Sequence, residues 1–380
     1  MQKRIRIVSV SIILVILLIG IVVINNNSNN KYSFTQDGIK YALTLDGNKI
    51  TSFPSKGMYK AQVTCDGADG RWLYDEWKLA IENITADISC DINFSTITKT
   101  SLNDYIISLS GTTQGTGKVV NENGYRYEGK NPNNYIWFNN EYWRIIGVFD
   151  SASHGVNGKN LVKIIKEEIL DGLAWNGSNT NDWSAASLNK LLNEVYYNAQ
   201  DGTSSGYCYG YSTTVTGNCD YTKKGIQSGY RGMISNVTWY LGGYSSTSAT
   251  AEAFYGYERG TTVYSGRPTS TTGYIGLMYP SDYGYSVLSS SCARTANLGS
   301  YHSAKCAGQS WLSGKGEVWT LSTWTSSYYR VWYLDAMYSL SNLDNNALIS
   351  KGILPVLYLD SSVYVISGDG SLENPYIVGM

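Results

Sequence analysis

Histidine is almost missing from this sequence: among 380 residues only His154 and His302 occur, each in a Gly/Ser-rich stretch. Histidine is the usual proton shuttle at neutral pH and the commonest metal ligand, so its scarcity narrows the available catalysis. No His-Glu-x-x-His, Cys-x-x-Cys or Walker-type string occurs. Zinc proteolysis, dithiol redox chemistry and P-loop nucleotide hydrolysis therefore lack their ligands, and no metal or cofactor is expected. Charge is scarce too. Charged residues make up 16% of the chain, against about 25% in ordinary soluble domains. The net charge is −1, and no Lys/Arg block follows the N-terminus. Without a Lys/Arg block to neutralise phosphates, the sequence argues against a nucleic-acid partner.

Two weaker catalytic signals dissolve on inspection. Gly202-Thr203-Ser204-Ser205-Gly206 matches Gly-x-Ser-x-Gly in letters, but that motif works on a strand-to-helix turn. Here it follows a helical pattern and enters a loop. Glu167-Glu168 and Asp75-Glu76 are sequence neighbours, whereas glycoside hydrolysis needs two carboxyls facing one bond. Adjacent strand positions point to opposite faces, so these read as solvated charges. Asp282, in Pro280-Ser281-Asp282-Tyr283, reads as an Asx-type turn ending a strand.

What is present starts at residue 1. Lys3, Arg4 and Arg6 precede an unbroken apolar run from Ile7 to Ile24. Eighteen residues at about 1.5 Å each give ~27 Å, enough to cross a hydrocarbon core. The basic flank places residues 1–6 in the cytoplasm and the remaining chain outside. An uncleaved anchor over 7–24 is favoured over a signal peptide, because no small-residue cleavage site follows Ile24. The expected localisation is thus the cell membrane, single-pass, with lipid contacting residues 7–24 and the C-terminal domains extracellular.

All six cysteines lie beyond that segment: Cys65, Cys90, Cys208, Cys219, Cys292 and Cys306. An even number in an exported chain favours disulfides. Fifteen pairings are open to six cysteines; closeness along the chain suggests Cys65–Cys90, Cys208–Cys219 and Cys292–Cys306.

The fold class expected is α+β, mostly β. After a spacer over 25–38, residues 39–96 read as a small disulfide-linked, β-sandwich-like module. In it Ala61, Val63 and Cys65 share one strand face, and Ile88, Cys90, Ile92 and Phe94 share another. Asp66-Gly67-Ala68-Asp69-Gly70 reads as a solvated turn. Residues 97–118, rich in Ser, Thr and Gly, read as a linker. The larger domain spans 119–380. It opens on a hairpin, Tyr135-Ile136-Trp137-Phe138 and Tyr142 to Phe149, around Asn139-Asn140. One main helix follows, with Leu188, Leu191, Leu192 and Val195 at helical spacing and Ser184 or Asp182 as cap. Further strands are expected at 274–279, 318–321, 331–334, 353–359 and 363–366. Residues 202–272, Gly/Ser/Thr/Tyr-rich and aperiodic, read as a functional or poorly ordered insertion.

Several segments, YIWFNNEYWRIIGVF, WSAASLNKLLNEVYY, GYIGLMYPSDYGYS, WTLS, ILPVLYL and GDGSLENPYIV, carry a resemblance. They are similar to a family of membrane-anchored surface proteins of Gram-positive and gut bacteria. The small module, with VTCDGADGRWLYDEWKL and ISCDINF, resembles the one that precedes such domains. The likeness covers roughly residues 35 to 380. It implies a C-type-lectin-like fold, of the formylglycine-generating-enzyme branch, for the larger domain. This chain departs from that pattern where chemistry is concerned. Glu373-Asn374-Pro375 and Asn181-Asp182-Trp183 hold the letters of the calcium-dependent sugar motif in the wrong order. Cys292 and Cys306 do not reproduce the paired catalytic cysteines.

Aromatic residues remain. Trp311, Trp319, Trp324, Tyr328, Tyr329, Trp332 and Tyr333 crowd together, with Trp319 and Trp332 expected in the core. Trp324, Tyr328 and Tyr329 fall in a Ser/Thr-rich loop, and Tyr209, Tyr211, Tyr244, Tyr255 and Tyr257 in the long insertion. Exposed Tyr and Trp offer stiff contact area while Ser and Asn supply adaptable hydrogen bonds. Non-catalytic binding of an extracellular glycan or protein through these loops is the expected function. A cell-envelope enzyme with an unfamiliar site and a surface-layer or pilus-like component are the alternatives.

Overall fold

The computed structural model describes residues 34–380 except 57–58, 75, 98, 212–217, 247 and 342–345. The expected membrane segment 7–24 lies outside the described residues; among those described, no helix is long and apolar enough to cross a membrane. The chain forms two compact units, one ending at Thr96 and one running from Ile97 to Met380.

In the smaller unit a five-stranded sheet runs in the order Phe34–Gln36, Ile39–Leu45, Ser89–Thr96, Tyr59–Asp66, with Asn48–Ile50 paired to Ile39–Leu45. The expected spacer therefore gives way to strand from Phe34 onward. Strand Tyr59–Asp66 alternates between half-buried and exposed positions along its length, as its sequence pattern requires. Cys65 stands directly opposite Cys90 in the antiparallel register, and the two are bonded with 4.1 Å between Cα atoms. A separate hairpin, Asp69–Leu73 with Lys78–Glu82, lies over this disulfide. Gly70 makes the approach feasible: a Cβ there would fall 2.3 Å from the Cys65 sulfur. Trp72 carries the hairpin into the core, its ring 5.0 Å from Phe94 and 5.3 Å from Phe53. Asp66 and Asp69 accept hydrogen bonds from Ser89 and Asn83.

The larger unit is mostly β, built on a ten-stranded half-barrel sheet. Seven of its strands run in the order Ile275–Gly276, Val356–Leu359, Leu161–Lys166, Glu141–Phe149, Tyr125–Gly129, Gly117–Asn121, Thr113–Gln114, and three more branch from Glu141–Phe149 as Tyr135–Phe138, Tyr376–Gly379 and Tyr364–Ser367. The Asn139-Asn140 hairpin forms as expected, both residues at positive φ (56° and 60°), a conformation Asn tolerates better than most residues. Strand Glu141–Phe149 bulges between Ile145 and Gly147, which bends it. Gly147 also lets strand Tyr125–Gly129 pass, since a Cβ would meet the Tyr125 carbonyl oxygen at 2.3 Å. Leu161–Lys166 is buried at every position, the mark of a strand covered on both faces. A five-stranded sheet adds Gly172–Ala174, Ser350–Gly352, Val318–Thr323, Val331–Leu334 and Leu340–Ser341. Cys208–Cys219 and Cys292–Cys306 close the remaining disulfides, in the pairs suggested by their spacing.

Several expectations need correction. The linker over 97–118 instead carries helix Leu102–Ser108, capped by Ser101, and strands that join the large sheet. Leu102, Tyr105, Ile106 and Leu109 stand at helical spacing and pack in or against the core, a local signal masked when the composition of the whole stretch 97–118 is averaged. The main helix runs Ser187–Lys190 and continues as π-helix Leu191–Tyr196, after a turn Trp183–Ala185 capped by Asp182. It is not alone: helices Ala251–Glu258 and Pro280–Ser286 also form. The strand expected over 274–279 stops at Gly276, because Pro280 at the first helical turn starts a helix. Asp282 is consequently not a strand-ending turn but the third residue of that helix, its carboxylate accepting the Tyr279 N–H.

Candidate functional site

Strands Val318–Thr323 and Val331–Leu334 are antiparallel, with Thr323 opposite Val331. Trp319 and Trp332 are fully buried, and each gives its indole N–H to a main-chain carbonyl, of Leu173 and Tyr244. That leaves the connecting loop, Trp324 to Arg330, to reach the surface. Its own main chain closes it through Trp324 N–H to the Arg330 carbonyl and Ser327 N–H to the Trp324 carbonyl, and it is tied from outside as well. The Asn181 side chain, 2% exposed, donates from Nδ2 to the carbonyls of Ser327 (2.8 Å), Arg330 (2.9 Å) and Trp324 (3.4 Å). The Asn181 main-chain N–H adds a bond to the Tyr328 carbonyl at 2.8 Å, and Arg267 Nη2 another at 3.3 Å. A loop with its carbonyls tied this way loses little freedom when a ligand arrives.

The ordered loop gathers aromatics. Trp324 packs at 4.9 Å on Trp332. Tyr328, 46% exposed, has its ring 4.9 Å from Tyr329 and 6.2 Å from Tyr264. Ser245 and Thr325 share a hydroxyl bond of 2.6 Å, which brings the 241–245 segment alongside, and Tyr244 there stacks flat on Tyr257 at 4.1 Å. Beside the loop lies a shallow cleft of about 230 Å³, solvent-open space included, with Asn181, Asp182, Trp183, Arg267 and Thr323 in its wall. Asp182 and Arg267 face each other there at 3.7 Å.

Five of the eight expected binding residues thus belong to one neighbourhood: Trp324, Tyr328, Tyr329, Tyr244 and Tyr257. Tyr255 does not. Its hydroxyl bonds Ser153 and its ring carries the Arg259 guanidinium at 3.6 Å, on the inner side of the helix. Tyr209 packs on Gly177, where a Cβ would lie 2.3 Å from its ring, so its role is to support the turn before Asn181. Tyr211 is 66% exposed beside the undescribed residues 212–217. Nothing in the sequence singles out Arg267, Tyr264 or the anchoring role of Asn181. Asn181-Asp182-Trp183, set aside for their order, line the cleft as anchor, ion-pair partner and wall.

A second constellation is buried. Lys163 and Arg126 both bond Asp282, at 2.5 and 3.1 Å, and all three are at most 1% exposed. Glu258, equally buried, pairs with Arg259 at 3.1 Å and accepts from the Ser281 N–H and hydroxyl. Burial pushes the Glu258 carboxyl up to about 7, against the pull of Arg259. Burial likewise brings the Lys163 ammonium down to about 8, although Asp282 opposes it. Burial disfavours the Asp282 carboxylate too, but Lys163 and Arg126 outweigh it and hold its pKa below the ordinary value. Shifts of this kind mark active sites when the groups line a cleft. Here they contact one another and the rings of Phe149, Tyr279 and Tyr358 instead. Only a lysine interrupting the apolar run Leu161–Ile165 signals this cluster in the sequence.

Two further expectations are revised. His154 is not in an open loop but fully buried at the end of helix Ser151–His154, bonded to the Phe149 carbonyl. Glu167 is not a solvated charge: it bonds Lys315 at 2.6 Å and faces Arg144 at 3.8 Å. Among the described residues no group of three or more His, Cys, Asp or Glu is placed to hold a metal ion. No family model, curated protein or solved structure matches this chain.

Proposed function

We propose that the chain is a membrane-anchored bacterial surface protein, held by residues 7–24, whose larger unit binds an extracellular glycan or protein through the Trp324–Arg330 loop. The observation carrying this reading is the loop itself. It presents Trp324, Tyr328 and Tyr329 on a backbone fixed by the buried Asn181 amide, and rigid aromatics on a fixed loop are the economical way to build a contact surface. The finer fold reading, a C-type-lectin-like domain behind a sandwich-like module, rests on the sequence likeness and belongs to the same proposal. The disulfides support export, since such bonds persist in oxidising compartments.

The test replaces Trp324, Tyr328 and Tyr329 with Ala in the purified full chain and applies it to glycan and envelope-protein arrays. Wild type binds and the triple variant, folded by circular dichroism, loses at least ten-fold in affinity. Equal binding by both proteins removes the loop from the function. Export is checked separately: protease added to intact cells cleaves the larger unit, and protection from it defeats the anchor reading.

A further inference from the structure

The cleft beside the loop narrows the ligand class, a step that rests on the loop being the binding surface. We infer that the cleft accepts a hydroxyl or hydroxymethyl group of a neutral saccharide whose ring lies against the loop aromatics. Three observations point there.

Size comes first. The enclosed part of the cleft has room for about one water molecule. Aromatic or arginine side chains, the usual anchors of a protein partner, do not fit, whereas a hydroxyl does. Charge comes second. Asp182 and Arg267 cancel, so neither an anionic nor a cationic group is favoured over a neutral one. Their separation of 3.7 Å is beyond a hydrogen bond. Asp182 spends Oδ1 on the Ser184 N–H and hydroxyl, which leaves Oδ2 turned to Arg267. A hydroxyl between them donates to the carboxylate and accepts from the guanidinium at once.

Third, the loop aromatics give the C–H face of a sugar ring an electron-rich surface. Tyr328 and Tyr264 are set edge to face beside Arg267, whose guanidinium lies 5.8 Å from the Tyr264 ring.

The test uses the full chain in a detergent without a sugar headgroup, because a maltoside would compete. Probes are immobilised neutral hexose and N-acetylhexosamine oligosaccharides, sialylated and glycerol-phosphate polymers, and a peptide library. Asp182→Asn is the informative variant: Asn still caps the Trp183–Ala185 turn but replaces the acceptor facing Arg267. Wild type binds neutral oligosaccharides. D182N weakens that binding ten-fold or more at an unchanged unfolding temperature, Y328A weakens it several-fold, and the distant Leu372→Ser leaves it alone. Should D182N unfold, Arg267→Gln removes the same bridge from the other side and carries the same expectation. Wild-type binding to anionic polymers or peptides alone overturns the saccharide inference, while its loss in the Trp324/Tyr328/Tyr329 triple variant keeps the loop reading. Saccharide binding that ignores both D182N and R267Q overturns the cleft assignment. Failure of wild type to bind any neutral probe also overturns it.

Discussion

Glu258 and Lys163 are fully buried, and their charged forms are costly there. The sign of the consequence comes from linkage. The Glu258 pKa rises from 4.5 unfolded to about 7 folded. The unfolded chain therefore gives up this proton first as pH rises, and stability falls from about pH 4.5 to about pH 7. The slope for one proton is about 1.4 kcal/mol per pH unit. Lys163 acts beyond that range: with its pKa lowered from 10.5 to about 8, the unfolded chain holds the proton longer. Stability is regained between about pH 8 and 10.5. His154, lowered by burial, opposes Glu258 at acidic pH, so the quantity to read is the difference between two proteins. Denaturant unfolding of wild type and Glu258→Gln across pH 5 to 7 is expected to show a fall in the first that is absent from the second. Parallel curves would mean that Glu258 does not titrate in this window.

Between residue and fold stands the Trp324–Arg330 loop, to which the Asn181 side chain ties three carbonyls. Asn181→Ala leaves the Ser327 carbonyl without its donor, while the carbonyls of Trp324 and Arg330 keep the main-chain N–H groups of Ser327 and Trp324. Losing buried hydrogen-bond partners costs about 1–3 kcal/mol. Because the loop is an appendage to a buried hairpin, the loss is expected mostly as loop mobility. Backbone amides of 324–330 should exchange faster with solvent, and ligand binding should drop with the loop aromatics intact. Unchanged exchange in N181A would show that the main-chain bonds of the loop, the Arg267 bond and the Trp324–Trp332 packing hold it without that side chain. The same element shows what was legible beforehand. Trp319 and Trp332 sit in apolar strand patterns, and Trp324, Tyr328 and Tyr329 among Ser and Thr, so the division between core and surface could be read. Tyr255 could not be sorted from Tyr257: both lie on Ala251–Glu258, and only the packing of Arg126 and Arg259 against the ring of Tyr255 turns it inward.

At the scale of the molecule, two cores are served by three disulfides. Leu43, Trp72, Ile92 and Phe94 make one small core, and the aromatic-rich cluster around Trp143, Trp183, Trp239 and Trp332 makes the other. The smaller core has little apolar area to offset chain entropy, which is where a cross-link matters most. Closing a loop of 25 residues contributes about 3 kcal/mol or slightly more in the chain-entropy account. Cys65→Ala with Cys90→Ala is therefore expected to lower the unfolding temperature of the smaller unit by ten degrees or more. Calorimetry reads it as a shifted low-temperature transition beside an unmoved main one. A single transition that moves as a whole would show that the two units unfold together.

Local signals alone determined the mostly-β class, the Asn139-Asn140 hairpin and the helix near Leu188, and they suggested the cysteine pairing without fixing it, because each depends on residues within a few turns or on nearby partners. Tertiary structure decided the rest. It put Lys163 on Asp282, a partner 119 positions away, and Asn181 beneath a loop 143 to 149 positions away. It also buried His154. Each of these is set by which distant surface excludes water from a residue. That is a property of the packed chain, and no window of neighbouring letters contains it.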